Sequence, residues 1–398
     1  MSKSVVSVVR TGRSRPEEIG EAVRKAIDLA GGLGDIVKPG MLVLLKPNVV
    51  VPPPRPRQGG TTNPDVVKAV ADVVAEIGAK AVIVEASAVG VDTDKSYTAA
   101  GYDELRAAGY EVVDLKKTPT VQVEVENAQV IQSLTTFEIV TRADVIISIP
   151  VMKTHDQTEI TLSLKNLKGL LIDRDKKRLH RQGVFHGVID LVSALRPSFT
   201  VVDGTWCQEG LGPMYGHTVQ MNLVLASRDL VAADSVAGHI MGFTPSEVLL
   251  TRYGAERGLG HAALDEIEVV GEPIERVRRR FMRSIEDHRY DVKDMRIIHA
   301  EGTCTGCRNT VVSCLYDLKN ANQLHFAEGL TILTSNAEVP PDCDPGKLIT
   351  VGNCVPVPRR GERFAPGCPP NNVWIVDLVV AGRGEVRRTY ATEDTAED

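Results

Sequence analysis

Between residues 41 and 85 the chain runs through a succession that few folds accommodate. "MLVLLKPNVV" (41–50) is an unbroken apolar run rich in Val and Leu, the pattern of a strand covered on both faces. "NPDVVKAVADVVAEIGA" (63–79) follows with every mark of a helix: Asn63 can cap it, Pro64 fits its first position, Asp65 suits its positive end and Gly78 can close it. "KAVIVEA" then reads as a second buried strand, "DKSYTAAGYDELRAAGY" as one helix and "EVVDL" as a third strand. Strand, helix and strand in this rhythm predict parallel pairing through right-handed crossovers. "ADVIISIPVM" (143–152), "SFTVVDG" (198–204) and "MNLVLAS" (221–227) extend the list of strands, and "DLVAADSVAGHIMG" reads as a helix.

A largely parallel sheet with helices on both faces binds its ligands beyond the carboxyl ends of the strands. The residues that leave those ends are "KPN" (46–48), "EAS" (85–87), "KTHD" (153–156), "DGTWCQEGLGP" (203–213) and "SRD" (227–229), a polar set dominated by Lys, Asn, His, Asp and Glu. Lys153 and His155 leave one strand together. Lys165 and Asn166 come about ten residues later, then His180 and His186. Lysines and histidines at a strand terminus suit a carboxylate or a phosphate, and proton transfer to it. The run "RDKKR" (174–178) reads instead as a solvated basic face. "RVRRRFMR" (276–283) reads as arginines that tie two parts of the chain together through carboxylates. "EGLGPMYG" (209–216) lacks the spacing of a dinucleotide loop, and neither a P-loop nor a G-x-S-x-G elbow is present.

Beyond residue 260 the pattern changes. "PIERVRRRFMRSIEDHRYD" (273–291) predicts a charged helix and "DMRIIHAEG" a strand. "NTVVSCLYDLKNA" predicts a helix, and "GLTILTS", "KLITVGN" and "NNVWIVDLVVAG" three more strands. The cysteines concentrate here: of seven, only Cys207 precedes residue 300. Cys304 and Cys307 form a C-x-x-C, Cys354 and Cys368 stand singly in "GNCVPVP" and "APGCPPNN", and Cys314 and Cys343 complete the six. One pair plus two remote singles in Gly/Pro-bounded loops matches neither the paired zinc ribbon nor the ferredoxin run. It fits a [4Fe–4S] cluster held by a folded domain, with zinc and a redox dithiol as the alternatives. The expected ligands are Cys304, Cys307, Cys354 and Cys368. Cys314 and Cys343 are alternates, and these two with Cys207 are the candidates for plain buried thiols. The helix after Arg308 is expected to favour the thiolate forms of Cys304 and Cys307. The domain expectation is 1–272 as an α/β domain, 273–390 as a smaller cysteine-rich α+β domain, and 391–398 as an acidic tail.

The pieces "LKPNVV", "TTNPDVVKAV", "ADVIISIPVMKTH", "TLSLKNLKGLL", "RLHRQGVFHGVIDL" and "VVDGTWCQEGLGPMYG", in this order, resemble the family known as domain of unknown function 362, whose members often carry an iron–sulfur domain. The resemblance implies an α/β domain with a cluster-bearing partner. It marks Lys46, Asn48, His180, His186, Asp203 and Glu209 as substrate-binding positions beside Lys153, His155, Lys165 and Asn166 as the catalytic group, and it also covers Asp229 and Asp234. The dispersed cysteines depart from the usual ferredoxin-type appendage of that family.

A net charge of −6 argues against a general nucleic-acid binder, and no run approaches the length of a membrane span, so a cytoplasmic enzyme is expected. The leading expectation is an iron–sulfur oxidoreductase acting on a small anionic metabolite, with an electron-donor protein as partner and a homodimer as the base-rate assembly. The alternatives are a lyase or isomerase using an open iron, and an electron-transfer protein whose cluster only staples the fold.

Overall fold

The computed structural model describes residues 3–287, 291–301 and 303–381. The acidic tail 391–398 lies outside them.

The first large sheet takes its strands from β1 (Ser4–Arg10), β2 (Leu42–Pro47), β3 (Lys80–Glu85) and β4 (Glu111–Asp114). A separate hairpin, β5 (Thr120–Glu124) with β6 (Ser133–Phe137), follows. The chain then returns to the sheet with β7 (Val145–Ile149), β8 (Val151–His155), β9 (Glu159–Thr161), β10 (Phe199–Glu209), β11 (His217–Ser227) and β12 (Ile267–Gly271). The main order is β12-β1-β11-β10-β7-β2-β3-β4, with β8 paired to both β10 and β9. From β10 outward through β7, β2 and β3 to β4 every neighbour is parallel. The antiparallel partner β11 sits between β10 and β1. The fold is therefore α/β with a largely parallel sheet.

Local chemistry explains the elements. Asn63 accepts the Asp65 N–H at 3.0 Å and Pro64 opens the helix Pro64–Glu76, as its sequence prescribes. That helix and Pro16–Leu29 cover one face of the sheet with Val, Ile and Ala; the helix Val184–Leu195 covers the other. The expected single helix over "DKSYTAAGYDELRAAGY" is two short ones, Thr93–Ala99 and Asp103–Ala107. Gly101 between them takes φ +87°, a left-handed turn that ends the first. Likewise "ADVIISIPVM" is two strands: Pro150, which has no N–H to give a ladder, lets β8 leave β7 and pair beside β10.

The C-terminal part has its own four-stranded parallel sheet, β13 (Arg296–His299), β14 (Thr331–Thr334), β15 (Leu348–Val351) and β16 (Phe364–Ala365). The helix Gly306–Asn320 packs on it. Two expectations are corrected here. "NNVWIVDLVVAG" is the helix Asn372–Val380: Asn371 caps it, and Ile375, Val376, Val379 and Val380 fall on one helical face against the Gly306–Asn320 helix. The charged helix over 273–291 exists only as the turn Ile274–Val277 and a 3-10 turn Ser284–Glu286, with 288–290 outside the described residues. Between the turns the chain is an extended strap. The Arg279 and Phe281 N–H groups bond to Ile240 O and Met241 O, Phe281 is fully buried, and Arg279 and Arg283 reach Glu209 and Glu247. Those tertiary partners outweigh a weak helical preference.

Candidate functional site

Beyond the carboxyl ends of β2, β3 and β8 lies a cavity of about 430 Å³. Asn48, His155, Lys165, Asn166 and His180 line it, as do Lys168, Lys176 and Arg181. The C-terminal helix brings Asn371, Asn372 and Trp374 to the same space. The site is thus assembled from both sheets' surroundings.

A buried polar group supports its floor. Lys46 is fully buried and donates to Glu85 Oε2 at 2.7 Å, to Pro47 O at 2.6 Å and to Asn166 Oδ1 at 3.3 Å. Asn166 in turn donates to Lys46 O at 2.6 Å and Ser148 Oγ at 3.1 Å, and receives Asn48 Nδ2 at 3.1 Å. Glu85 also takes the Val49 and Ala86 N–H groups. Burial pulls Lys46 below its ordinary range while Glu85 pulls it up. Asn48 Oδ1 is left without a donor. Gly169 packs so closely that a Cβ there would lie 1.9 Å from Glu85 Oε1, so this position admits no side chain.

Lys165 has no hydrogen-bond partner among the described residues, and burial brings it down to about 7, with Asp156 opposing the shift. Lys153, which is not on the cavity wall, donates through its ammonium to Gly60 O at 2.8 Å and to no other described residue; burial brings it also to about 7. His155 falls to about 4, first through burial and then through Lys165. Its Nδ1 accepts the Gln157 N–H at 2.9 Å, which leaves the ring proton on Nε2. Asp156 Oδ1 stands 2.7 Å from that same, already committed nitrogen and receives no hydrogen bond. Lys168 Nζ is 2.7 Å from His180 Nε2; burial holds both well below their ordinary ranges, helped at Lys168 by Lys165 and Lys176 and at His180 by Lys168 and Lys165. His180 Nδ1 is unpartnered.

The remaining expected substrate residues lie elsewhere. His186 stacks on Tyr253 at 4.4 Å and meets Gln129 Oε1 at 2.6 Å. Asp203 is fully buried beside Asn63 and Thr205, and burial raises it to about 6. Glu209 holds Arg279 with both oxygens. Asp229 and Asp234 accept backbone N–H groups at the Leu230–Ile240 helix start and at Ser163 and Leu164. The solvated face expected of "RDKKR" holds for exposed Arg174 but not for Lys176, which is buried and donates to Ala86 O, Ser87 O and Asp173. The helical spacing of Lys176, Leu179 and His180 marks them as one buried face of Asp173–Gln182 and could have revealed this.

The four cysteines expected as ligands are electrostatic neighbours. Desolvation raises Cys304, Cys307 and Cys368, the last to about 11, and each is raised further by others of the set, Cys354 included. The expectation that the helix start lowers Cys304 and Cys307 is thus corrected: burial and thiol crowding outweigh it. Cys207 and Cys314 are fully buried apolar packing, whereas Cys343 is part-exposed. Among the described residues no three His, Cys, Asp or Glu side chains are grouped to hold one metal ion. At Gly352, φ +99°, a Cβ would lie 2.5 Å from Cys307 Sγ, so the bare backbone passes directly against that sulfur.

These loops touch the cavity wall. The Cys368 N–H donates to His180 O at 3.0 Å, Cys368 O accepts Val184 N–H at 2.8 Å, and Asn353 Nδ2 donates to Arg181 O at 3.1 Å. Gln157 Nε2 reaches Pro370 O, and Glu159 takes Thr305 and Asn309.

Residues 43–239 match the family described as Domain of unknown function (DUF362). The thylakoid-associated protein sll1697 of Synechocystis sp. is 29% identical over 254 residues, 62% of this chain and 77% of that protein. Among solved structures, the lactate racemase apoprotein of Thermoanaerobacterium thermosaccharolyticum aligns over 96% of this chain and 91% of its own, at 10% identity and a TM-score of 0.40, too loose a likeness to support an argument. No described helix is long and apolar enough to cross a membrane.

Proposed function

We propose that this chain is an iron–sulfur oxidoreductase in which a small organic anion occupies the cavity beside a [4Fe–4S] cluster on Cys304, Cys307, Cys354 and Cys368. The observation that carries the reading is the backbone tie between the two: Cys368 N–H to His180 O at 3.0 Å, in a chain where His180 lines the cavity. The donor set suits a cluster better than one zinc, which needs its sulfurs about 2.3 Å from a single point. These thiols feel one another's charge without forming such a group. At Gly352 the chain comes so close to Cys307 Sγ that no side chain fits between them, in keeping with a loop that closes on a sulfur-bound group. When bound, the cluster supplies single electrons to the ligand's neighbourhood.

The side chains supply the rest. Lys165, with free donors and a titration near 7, holds the anion and can give or take a proton at neutral pH. His155 offers its Nε2 proton, since Gln157 occupies Nδ1. Asn166 and Lys46 fix the floor so that Lys165, one residue earlier, keeps its place.

Anaerobic purification with iron and sulfide analysis and electron paramagnetic resonance tests the reading. A reducible four-iron signal that disappears in Cys368→Ala supports it. Zinc alone, or an intact cluster in Cys368→Ala, sinks it. A cluster that sheds one iron on oxidation would instead favour the lyase.

A further inference from the structure

The cavity has two chemically different walls. The chain leaving β2 and β3 lines it with Val50, Val51, Ala88, Val89 and Val91, and Trp374 joins them from the C-terminal helix. The polar side has fewer donors to offer than its lysine count suggests. Lys176 places its ammonium on Ala86 O, Ser87 O and Asp173 Oδ1, at 2.9, 2.8 and 3.1 Å, which uses its three N–H groups. Lys168 leans on His180, and Arg181 lies over the Trp374 ring at 5.5 Å. Lys46 is committed to Glu85 and Asn166. Lys165 is the half-buried cavity lysine with no hydrogen bond among the described residues.

One uncommitted ammonium balances one negative charge. A phosphate group needs more: a nest of backbone N–H groups, or several cations converging on its oxygens. Among the described residues no such glycine-rich loop lines this cavity; Lys168 and Lys176 are engaged, Arg181 lies over Trp374, and Lys177 is exposed, where solvent and salt screen its charge. The valine wall, in turn, would lose favourable burial against a sugar or a bare inorganic ion.

Resting on the cavity reading given above, we propose that the ligand is a monocarboxylic acid with an aryl or branched-alkyl body, its carboxylate on Lys165 and its body against the valine wall and Trp374. The class excludes phosphorylated sugars and small hydroxy acids as preferred ligands. Its size is bounded by the 430 Å³ of the cavity, enough for a ring or a short branched chain with room for a few waters.

Calorimetric titration of the full chain with phenylacetate, 4-methylpentanoate, acetate and inorganic phosphate tests this. The expected result is that the first two bind at least ~ten-fold more tightly than acetate or phosphate. Lys165→Met should weaken phenylacetate at least ~ten-fold. Val89→Asn, a change at a half-exposed position, should erase the advantage over acetate and leave acetate itself unchanged. Acetate or phosphate binding as tightly as phenylacetate, no binding by any of the four, or phenylacetate unaffected by Lys165→Met would each overturn the proposal. Iron and sulfide analysis of the same sample separates the two readings. A loaded cluster without the apolar preference removes only the ligand class, and the preference without a cluster removes only the oxidoreductase.

Discussion

Lys153 keeps its ammonium where water does not reach, against a single carbonyl and with Lys46 as an electrostatic neighbour. Its titration near 7 in the fold, against about 10.4 in an unfolded chain, has a definite sign. Between pH 7 and 10 the unfolded chain binds a proton that the folded one does not, so stability rises with pH across that window, and the penalty is complete below pH 7. Lys153→Met is therefore expected to stabilise the protein by about 1–4 kcal/mol at pH 6 and by much less at pH 10, read from urea unfolding. Lys46→Met should do the reverse, since it leaves Glu85 charged and buried: a loss of about 3–5 kcal/mol at neutral pH in the same measurement. Lys165 faces the cavity, so its titration governs binding instead. Anion affinity is expected to fall by up to ~ten-fold per pH unit as pH rises above about 7, the value of Lys165 in the unliganded chain, while Lys165→Met flattens the profile. His155 could be named from sequence because a strand end announces itself, and Lys165 and Asn166 because they follow it about ten residues later. Lys168 could not, since a basic run looks solvated until the partner that buries it is known, whereas the spacing of Lys176, Leu179 and His180 was there to be read.

At the scale of elements, the parallel sheet was readable because its strands carry apolar centres, as in Leu42–Leu45 and Val82–Val84, and because a crossover such as Pro64–Glu76 announces its start with a cap, as Asn63 does. The C-terminal helix was not. Nine residues containing Val373, Ile375, Val376, Val379 and Val380 satisfy strand and helix alike, and only packing on Gly306–Asn320 decides. The strap 278–283 failed for the opposite reason, its arginines being recruited by distant carboxylates. The glycine loops make a sharper prediction. Gly352→Ala adds a methyl 2.5 Å from Cys307 Sγ at a left-handed φ. It should lower iron content at least as far as a ligand substitution does, with a stability cost of about 1–3 kcal/mol. Normal iron in that variant would show that the backbone can retreat from the sulfur.

Across the whole molecule, the cysteine loops and the cavity share an edge rather than a surface. Asn353 binds Arg181 O and Gly367 N–H together, and Cys368 binds His180 O, so the wall of one is the frame of the other. Cys304→Ser is expected to reduce both bound iron and ligand affinity, whereas Cys314→Ala, buried among Val311, Leu315 and Leu318, should leave iron unchanged and cost only packing. The spacing of the cysteines pointed to Cys304, Cys307, Cys354 and Cys368 as one set, which iron analysis of the variants tests. It could not foretell the cavity, whose parts are remote in sequence.

That remoteness bears on how the protein is made. Asn48 enters the cavity from near the start of the described chain and Trp374 from near its end. A ribosome that has released the first large sheet has built the lysine floor but not the wall that Asn371, Asn372 and Trp374 provide. Nascent chains halted at residue 365 would carry β1 through β16 and still lack Cys368 and that wall. Binding competence thus arrives with the last stretch of synthesis, and a nascent chain has no formed pocket to fill before its thiols are complete.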